Sequence, residues 1–456
     1  MFTLQSFANS PVVRYFPSFL LIFYTTTLDY IVTIYTRIRL VNKQNKSNLL
    51  VLLRSMKKMK TQKITLGLLL LNLFIAFLGI GLVIPVLPTL MTELGITGTI
   101  VGYLTASFAI AQLIVSPFAG KAADRFGRKI MIVIGLFIFG ISELLFGLGK
   151  EIEVLFISRI LGGISAGFIM PAVTAFIADI TNLNNRAKAL GYMSAAISTG
   201  FIIGPGIGGF LAEFGTRIPF FFAGGLGIIA GILSILLLRE PNRTEETYEQ
   251  DKDGKVGIKR ITAPKYLIAF ILIFIASFGL AAFESFFSLF VDHKFGFKPS
   301  DIAIVITGGA IFGAIAQVLL FERLTRIWGE IKLIRYSLII SALLVFLMTV
   351  VHTYFSILLV TFIVFVGFDL FRPAVTSYLS NIAGNEQGFV GGMNSMFTSL
   401  ANISGPIIGG MLFDVDINYP YYFATVILAL GIVLTMFWKK PINDYSTKLK
   451  ARTTEL

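Results

Sequence analysis

Five ionisable residues, Glu143, Arg159, Glu284, Asp369 and Arg372, stand inside long apolar runs of the chain. A charge in such surroundings costs about 3 kcal/mol and is kept mainly where it binds or relays something. Carboxylates placed there can take up and release protons, and a guanidinium beside them holds their charge in check. Asp369 and Arg372 are three apart, on one face of a helix, a spacing that predicts an internal ion pair which protonation of Asp369 would open. Glu284 has no partner on its own stretch. Glu143, in the string ISELLFG, fits a polar packing contact or a peripheral role equally well. Arg159 could hold backbone carbonyls or a proton-relay water.

Aromatic side chains crowd the same positions. Phe283, Phe286, Phe287 and Phe290 flank Glu284, and Phe365, Phe368 and Phe371 flank Asp369, while Phe74, Phe77, Phe168 and Phe201 come from the earlier part of the chain. Aromatic faces with one or two acids suit large, apolar, often cationic organic molecules, held by stacking and cation–π attraction with loose demands on shape. A sugar would need many fixed donors and acceptors, and the apolar runs offer few, chiefly Asn72, Gln112, Gln317, Asn394 and Asn402. The contacts expected for a ligand are Phe74, Phe77, Phe168, Phe201, Phe283, Phe287, Gln112 and Asn402.

The elements that position these residues must lie in lipid. Of 456 residues only 14% are charged, 55% are hydrophobic and the mean hydropathy is +0.83, too little polar surface for a soluble fold of this size. Cysteine is absent and only His293 and His352 represent histidine, which excludes disulfides, thiolate metal sites, cysteine nucleophiles and histidine triads. The net charge of +13 comes from short basic clusters between apolar runs, a pattern of membrane topology and not of nucleic-acid binding.

Crossing a hydrocarbon core takes about 20 helical residues. Runs that long lie near 64–88, 98–119, 129–148, 153–178, 188–212, 219–238, 264–290, 301–321, 331–350, 354–380, 388–413 and 419–438. No alternating strand pattern is present, so the expected fold class is an all-α polytopic membrane protein with twelve transmembrane helices. Counting Lys and Arg by loop parity leaves only Lys150, Arg217, Lys294 and Lys298 on one side. The other side takes Lys57 to Lys63, the 119–130 loop, Arg186, Lys188 and the remaining clusters, which puts both ends of the twelve-helix unit in the cytoplasm of a cell-membrane protein.

The polar stretch 239–263 reads as a cytoplasmic linker between six-helix halves at 59–238 and 264–438, with a cytoplasmic tail from 439 to 456. Residues 1–58 read as a weakly ordered extension: Asp29, Arg14 and a run of Thr spoil any thirteenth span, and Met56 and Met59 are alternative starting points. Internal repetition supports the halves. Ala109-Ile110-Ala111-Gln112 recurs as Ala314-Ile315-Ala316-Gln317, Pro171-Ala172-Val173-Thr174 as Pro373-Ala374-Val375-Thr376, and Gly204-Pro205-x-x-Gly208-Gly209 as Gly405-Pro406-x-x-Gly409-Gly410. Three matches in order at nearly one offset imply a duplicated unit whose halves rock about a central site.

Gly120-Lys121-Ala122-Ala123-Asp124-Arg125-Phe126-Gly127-Arg128-Lys129 resembles the cytoplasmic signature loop of the major facilitator superfamily. Arg159 with Gly163 and Gly167 is similar to that superfamily's fourth-helix motif. Gly200-x-x-x-Gly204-Pro205-x-x-Gly208-Gly209 looks like the antiporter signature of its drug/proton exchange branch. GIGLVIPVLP at 79–88 and FVGFDLFRPAVT at 365–376 resemble the NorA and Bmr type of multidrug efflux pump of Gram-positive bacteria, with the likeness running from about 62 to 438.

The physics of each motif stands beside the resemblance. Asp124 amid Arg125, Arg128 and two lysines suits a charge network at a helix end, with Gly120 and Gly127 permitting tight turns. Gly200, Gly204 and Gly208 line one helical face and permit close helix contact, and Pro205 removes a donor and favours a bend. Gly204-x-Gly206-x-x-Gly209 matches a dinucleotide fingerprint, but no strand precedes it and it lies inside a span. The resemblance implies proton coupling through Glu284 and Asp369, with Arg372 as their electrostatic partner and Arg159 in a coupling role. Gating would fall to Gly120, Asp124, Arg125, Gly127, Arg128, Gly200, Gly204, Pro205 and Gly208. The whole would be a proton-driven antiporter of hydrophobic drugs such as quinolones and dyes, working as a monomer in the lipid bilayer, with the proton gradient as energy source, no cofactor and no nucleic acid. Within the same fold an exporter or symporter of one defined metabolite is the alternative. An enzyme would need a nucleophile or ligand set that the spans do not assemble.

Overall fold

The computed structural model describes residues 46–241, 264–383 and 387–438; the earlier part of the expected extension, most of the expected linker and the expected tail lie outside the described residues. Twelve helices are long and apolar enough to cross a membrane among the described residues. They are α1 (Lys46–Val83), α2 (Gly98–Phe126), α3 (Arg128–Leu148), α4 (Ile152–Ile180), α5 (Leu183–Ala212), α6 (Ile218–Leu237), α7 (Pro264–Phe295), α8 (Pro299–Trp328), α9 (Glu330–Val350), α10 (Tyr354–Ala383), α11 (Gln387–Val415) and α12 (Tyr419–Phe437). Beyond Val83 the chain tightens through a 3₁₀ turn at Ile84–Val86, where Pro85 interrupts the α-helical ladder, and continues helically over Leu87–Leu94. Each of the twelve expected runs corresponds to one helix. The backbone is already helical at Lys46, so the boundary expected at residue 58 falls inside α1 and does not mark its start.

Two departures concern helix ends. The 119–130 stretch, expected to be a loop, is almost wholly helical: Ala122, Ala123 and their neighbours carry α2 on to Phe126, and Gly127 alone (φ +107°) makes the turn into α3. Gly120 is therefore a helical residue with open space around it and makes no tight turn, contrary to expectation. The corresponding turn in the second half, between α8 and α9, is made by Gly329 at φ +75°.

Packing repeats along the chain. In the first half α1 packs on α5 and α6, α4 on α2 and α3, and α3 on α6; in the second half α7 packs on α11 and α12, α10 on α8 and α9, and α9 on α12. Between the halves two seams dominate, α2 with α11 and α5 with α8. Lipid chains are as apolar as Leu, so the helices gain their association from close packing of small residues and from buried hydrogen bonds. The duplicated glycine string shows how. Gly204 and Gly208 lie against the α1 backbone at Leu78, Gly81 and Leu82, and Gly405 lies against that of α7 at Phe278. The last glycine of each string turns to the other half: Gly209 meets Pro299 and Ala303 on α8, and Gly410 meets Gly98 and Thr99 on α2. Two adjacent glycines are needed because one helix has to approach two neighbours.

All the close glycine contacts between halves fall at one end of the bundle, the end holding the start of α2 and the finish of α11. There the hydrophobic core of the second half runs on into the first through Val86, Leu90, Val101 and Leu104, whereas the first half's own core, built around Leu73, Leu136, Val173 and Phe176, stays separate. Helices α2 and α8, one from each seam, are the least buried of the twelve. The end opposite the 241–264 connection is thus the closed end, where the two halves meet most closely.

Candidate functional site

Glu284 sits on α7 with Phe283, Phe286 and Phe287 buried on the packed side of the helix while its own side chain is exposed. Asp369, near the middle of α10, is half-buried, and Arg372, one turn on, is exposed. These three interact electrostatically: Arg372 attracts both carboxylates, and Glu284 and Asp369 repel one another. The expected direct ion pair is not formed, since no Arg372 guanidinium nitrogen lies within 4 Å of an Asp369 carboxylate oxygen. Arg372 is thus one cation within electrostatic reach of two carboxylates.

A residue that sequence reasoning passed over positions Asp369. On α8, Gly313 leaves a notch that the Asp369 carboxylate fills; a Cβ there would fall on Oδ2, with the Phe365 Cβ only 3.2 Å away. Gly308 and Gly309 make room in the same way for the rings of Phe362 and Phe365. Gly313→Ala is expected to push Asp369 out of its notch and cut transport at least tenfold at equal expression, despite the better helix propensity of Ala. Gly225→Ala, with nothing within 4 Å of its Cβ, is expected to be neutral. Vesicle transport rates for the two variants check this, and equal rates would remove Gly313 from the site.

The aromatic expectations divide. Phe283 and Phe287 are each 1% exposed and belong to a packed cluster with Phe365, Phe368, Phe290 and Tyr421, so they are core residues and not cavity lining, a correction of their expected role. The reason lies in packing: Phe283, next to Glu284, is turned about 100° from it around the helix, and Phe287, three residues on, is drawn against the Phe283 ring at 5.3 Å. In the first half Phe77 lines a small apolar cavity with Phe108, Phe139, Ser165, Ile169 and Met170, and its ring lies 5.1 Å from that of Phe201, which is 40% exposed. Phe74 and Phe168 are half-buried against the first core, Gln112 is half-buried on α2, and Asn402 is exposed on α11. Asn72 donates to Ser234 Oγ at 2.8 Å and joins α1 to α6.

Arg159 belongs to a different place. It lies 3.9 Å from Glu143 across the α3–α4 contact, with its guanidinium 4.0 Å over the Phe146 ring, and its electrostatic partner is Glu143 and not the central carboxylates. Glu143 Oε2 and Arg159 Nε and Nη2 are buried without hydrogen-bond partners. Beside them Ser142 and Ser158 each donate to the other's carbonyl at 2.8 Å, clamping the two helices.

The 120–129 motif forms a network at the end opposite the closed one. Arg128 pairs with Asp124 and donates from Nε to Asp179 Oδ2 at 3.2 Å, tying α2, α3 and α4 together. Glu240, just past α6, accepts from the amides of Arg128 and Lys129 at 2.6 and 2.9 Å and so caps α3 where its dipole favours an anion. A Cβ at Gly127 would come within 2.9 Å of that carboxylate, a second reason for glycine beside its φ. Arg125 is exposed and lies over the Phe126 ring at 5.4 Å. The second half keeps the frame with other chemistry, for there Asn381 Nδ2 donates to Glu330 Oε1 at 2.7 Å. Within the first half, Gly200 faces the backbone of Phe74 and Leu78 on α1, and Pro205 packs beside Gly81 inside an α5 that stays continuous through the proline.

Comparison with known proteins places this geometry in context. The sequence profile described as Major Facilitator Superfamily matches residues 69–297 and 269–454. Multidrug resistance protein 1 of Bacillus subtilis (strain 168) is 71% identical over 390 residues, 86% of this chain and 99% of that protein. Quinolone resistance protein NorA of Staphylococcus aureus (strain COL) is 47% identical over 369 residues, 81% of this chain and 95% of that protein. Among solved structures, a bacterial homolog of the human lysosomal transporter Spinster, inward-facing and unoccupied, aligns with a TM-score of 0.69 at 17% identity over 83% of this chain and 95% of that one. The nucleoside transporter NupG aligns with a TM-score of 0.67 at 16% identity over 82% of this chain and all of the other. At such identities these two similarities concern the fold.

Proposed function

The chain belongs to the major facilitator superfamily and is a membrane transporter rather than an enzyme; from that premise we propose that it is a proton-coupled multidrug efflux antiporter. Its cargo would be hydrophobic, often cationic organic compounds, quinolones and dyes among them, in keeping with the names carried by its relatives. The observation that carries the reading is the group Glu284, Asp369 and Arg372, two carboxylates and one cation within electrostatic reach of both. The positive-inside bias supports a cytoplasmic placement of the end that bears the 241–264 connection, where a central cleft between the halves would open, and of both ends of the twelve-helix unit. One chain would contain the whole cleft, in keeping with a functional monomer.

In the proposed cycle a proton from outside binds Glu284 or Asp369 while the cleft faces outward. The halves then rock on the α2–α11 and α5–α8 seams, and the proton leaves to the cytoplasm as drug enters. A cationic drug and a proton would compete for the same negative charge, and Arg372 lowers the cost of leaving both carboxylates ionised between the two. The exposed Phe201 ring and Phe77 offer an apolar face to the drug body, and Asn402 a polar contact. Uptake of several unrelated dyes into inverted vesicles tests the reading: it should collapse with an uncoupler for every dye, and uncoupler-resistant uptake, or uptake of a single compound, would overturn it.

The shared cation makes a further prediction. Arg372→Ala, leaving two carboxylates without it, is expected to slow antiport by an order of magnitude or more, and Arg372→Lys to retain a substantial part. Asp369→Asn should uncouple drug movement from the gradient. Equal rates for wild type and Arg372→Ala would show that the guanidinium takes no part.

A further inference from the structure

Side-chain hydrogen bonds that join the two halves among the described residues come from one carboxylate. Asp414, in the last turn of α11, accepts from the Gly98 amide at 2.6 Å through Oδ1 and from the Thr99 amide at 2.8 Å through Oδ2. Those amides open α2, and the first N–H groups of any helix have no partner within it. Thr97, the N-cap, covers the next one, its Oγ1 accepting from Ile100 at 3.4 Å. The first turn of α2 is therefore capped partly by its own chain neighbour and partly by the other half of the molecule. An anion there gains from the helix dipole as well as from two charge-assisted bonds.

Glycine makes the approach possible. A Cβ at Gly98 would stand 2.8 Å from Asp414 Oδ1 and 2.9 Å from the Phe413 ring, and a Cβ at Gly410 would stand 2.5 Å from the Gly98 carbonyl. The other seam is built differently. Helix α8 opens with Pro299, which has no N–H to offer, and its own Asp301 accepts from the Lys298 amide at 3.1 Å. By the glycine repeat, Asp414 corresponds to Glu213, just past α5, and there Gly209 lies nearest the Pro299 carbonyl and Ala303. One seam closes on packing alone; the other closes on packing plus a carboxylate.

We propose that Asp414 is the latch of the closed end, a carboxylate on one half that caps the first turn of α2 on the other and lets go whenever that end opens. The inference rests on the reading that the halves rock, and not on what is transported. On opening, the carboxylate and both amides regain water, so the latch biases the equilibrium between the two states and does not lock it.

The chain has no cysteine, so spin labels can be placed at will in the full-length protein in lipid nanodiscs. Labels at Glu151 and His352, in loops of the two halves at the closed end, report its opening; labels at Lys188 and Arg323 report the opposite end. Without drug or proton gradient, Asp414→Ala is expected to lengthen the first distance and shorten the second, moving the population ratio about tenfold. Asp414→Asn, which keeps an acceptor and loses the charge, should fall between, and Glu213→Ala should match wild type. Unchanged distances in Asp414→Ala, or an equal shift in Glu213→Ala, overturn the latch. If Asp414→Ala does not accumulate in the membrane, unchanged distances in Asp414→Asn overturn it instead. Unshifted distances in a protein that still exports drug sink the latch alone, and shifted distances in one that shows no proton-driven export sink the antiporter reading alone.

Discussion

Glu284→Gln is expected to reduce proton-driven drug uptake into inverted vesicles to background. Gln keeps the size and hydrogen-bonding capacity of the side chain and removes only its titration, so an effect of that size isolates the proton. The position favours a clean result, because the Glu284 side chain is exposed while its neighbours Phe283, Phe286 and Phe287 hold α7 in the core. Folding should therefore be undisturbed. Drug exchange across the membrane at equal concentration needs no net proton movement and should persist in Glu284→Gln, which separates loss of coupling from loss of binding. Removing this charge also frees Arg372 to act on Asp369 alone, so Glu284→Gln combined with Asp369→Asn should be no worse than either, the signature of one shared device. Unimpaired gradient-driven uptake by Glu284→Gln would end the assignment.

Where the chain crosses lipid was legible because a span is a local property: twenty apolar residues announce themselves without reference to any partner. The duplication was legible for a related reason, since strings such as Gly204-Pro205-x-x-Gly208-Gly209 repeat the same contact at the same register. What each glycine touches was not. That Gly208 serves its own half and Gly209 the other depends on where α1 and α8 stand, and helical spacing alone treats them as neighbours. The same limit hid Gly313, whose meaning is the Asp369 carboxylate on another helix, and Glu143, whose partner Arg159 lies across a hairpin. Spacing also misled. Three residues apart is a licence for Asp369 and Arg372 to pair, but no direct ion pair forms, and the guanidinium lies within electrostatic reach of Glu284 on α7 as well. Phe283 and Phe287 were expected beside the ligand because they flank Glu284, but closeness in sequence does not say what a ring packs on: Phe283 meets Phe365, Phe368 and Tyr421 from other helices, and Phe287 meets Phe283.

The Glu143–Arg159 pair carries the largest stability effect expected in the molecule. Glu143 is 3% exposed and the Arg159 side chain 13%, so neither can recruit water freely once the other is gone. Breaking a buried ion pair from one side costs about 3–5 kcal/mol, because an uncompensated charge stays behind. Glu143→Leu and Arg159→Leu are each expected to lower thermal stability by that order and to reduce the amount of folded protein. The double variant leaves no orphan and fills the space with apolar atoms, so its stability should return close to wild type. Export by the double variant then decides between the two uses of the pair. Arg159 Nε and Nη2 and Glu143 Oε2 have no partners, and the 3.9 Å gap between the groups is longer than a hydrogen bond, which leaves more polar capacity than a clamp requires when Ser142 and Ser158 already join the same helices. The expected result is a stable double variant that exports poorly, as befits a guanidinium with work beyond holding α3 to α4. Full export at restored stability would make the pair a structural clamp and nothing else.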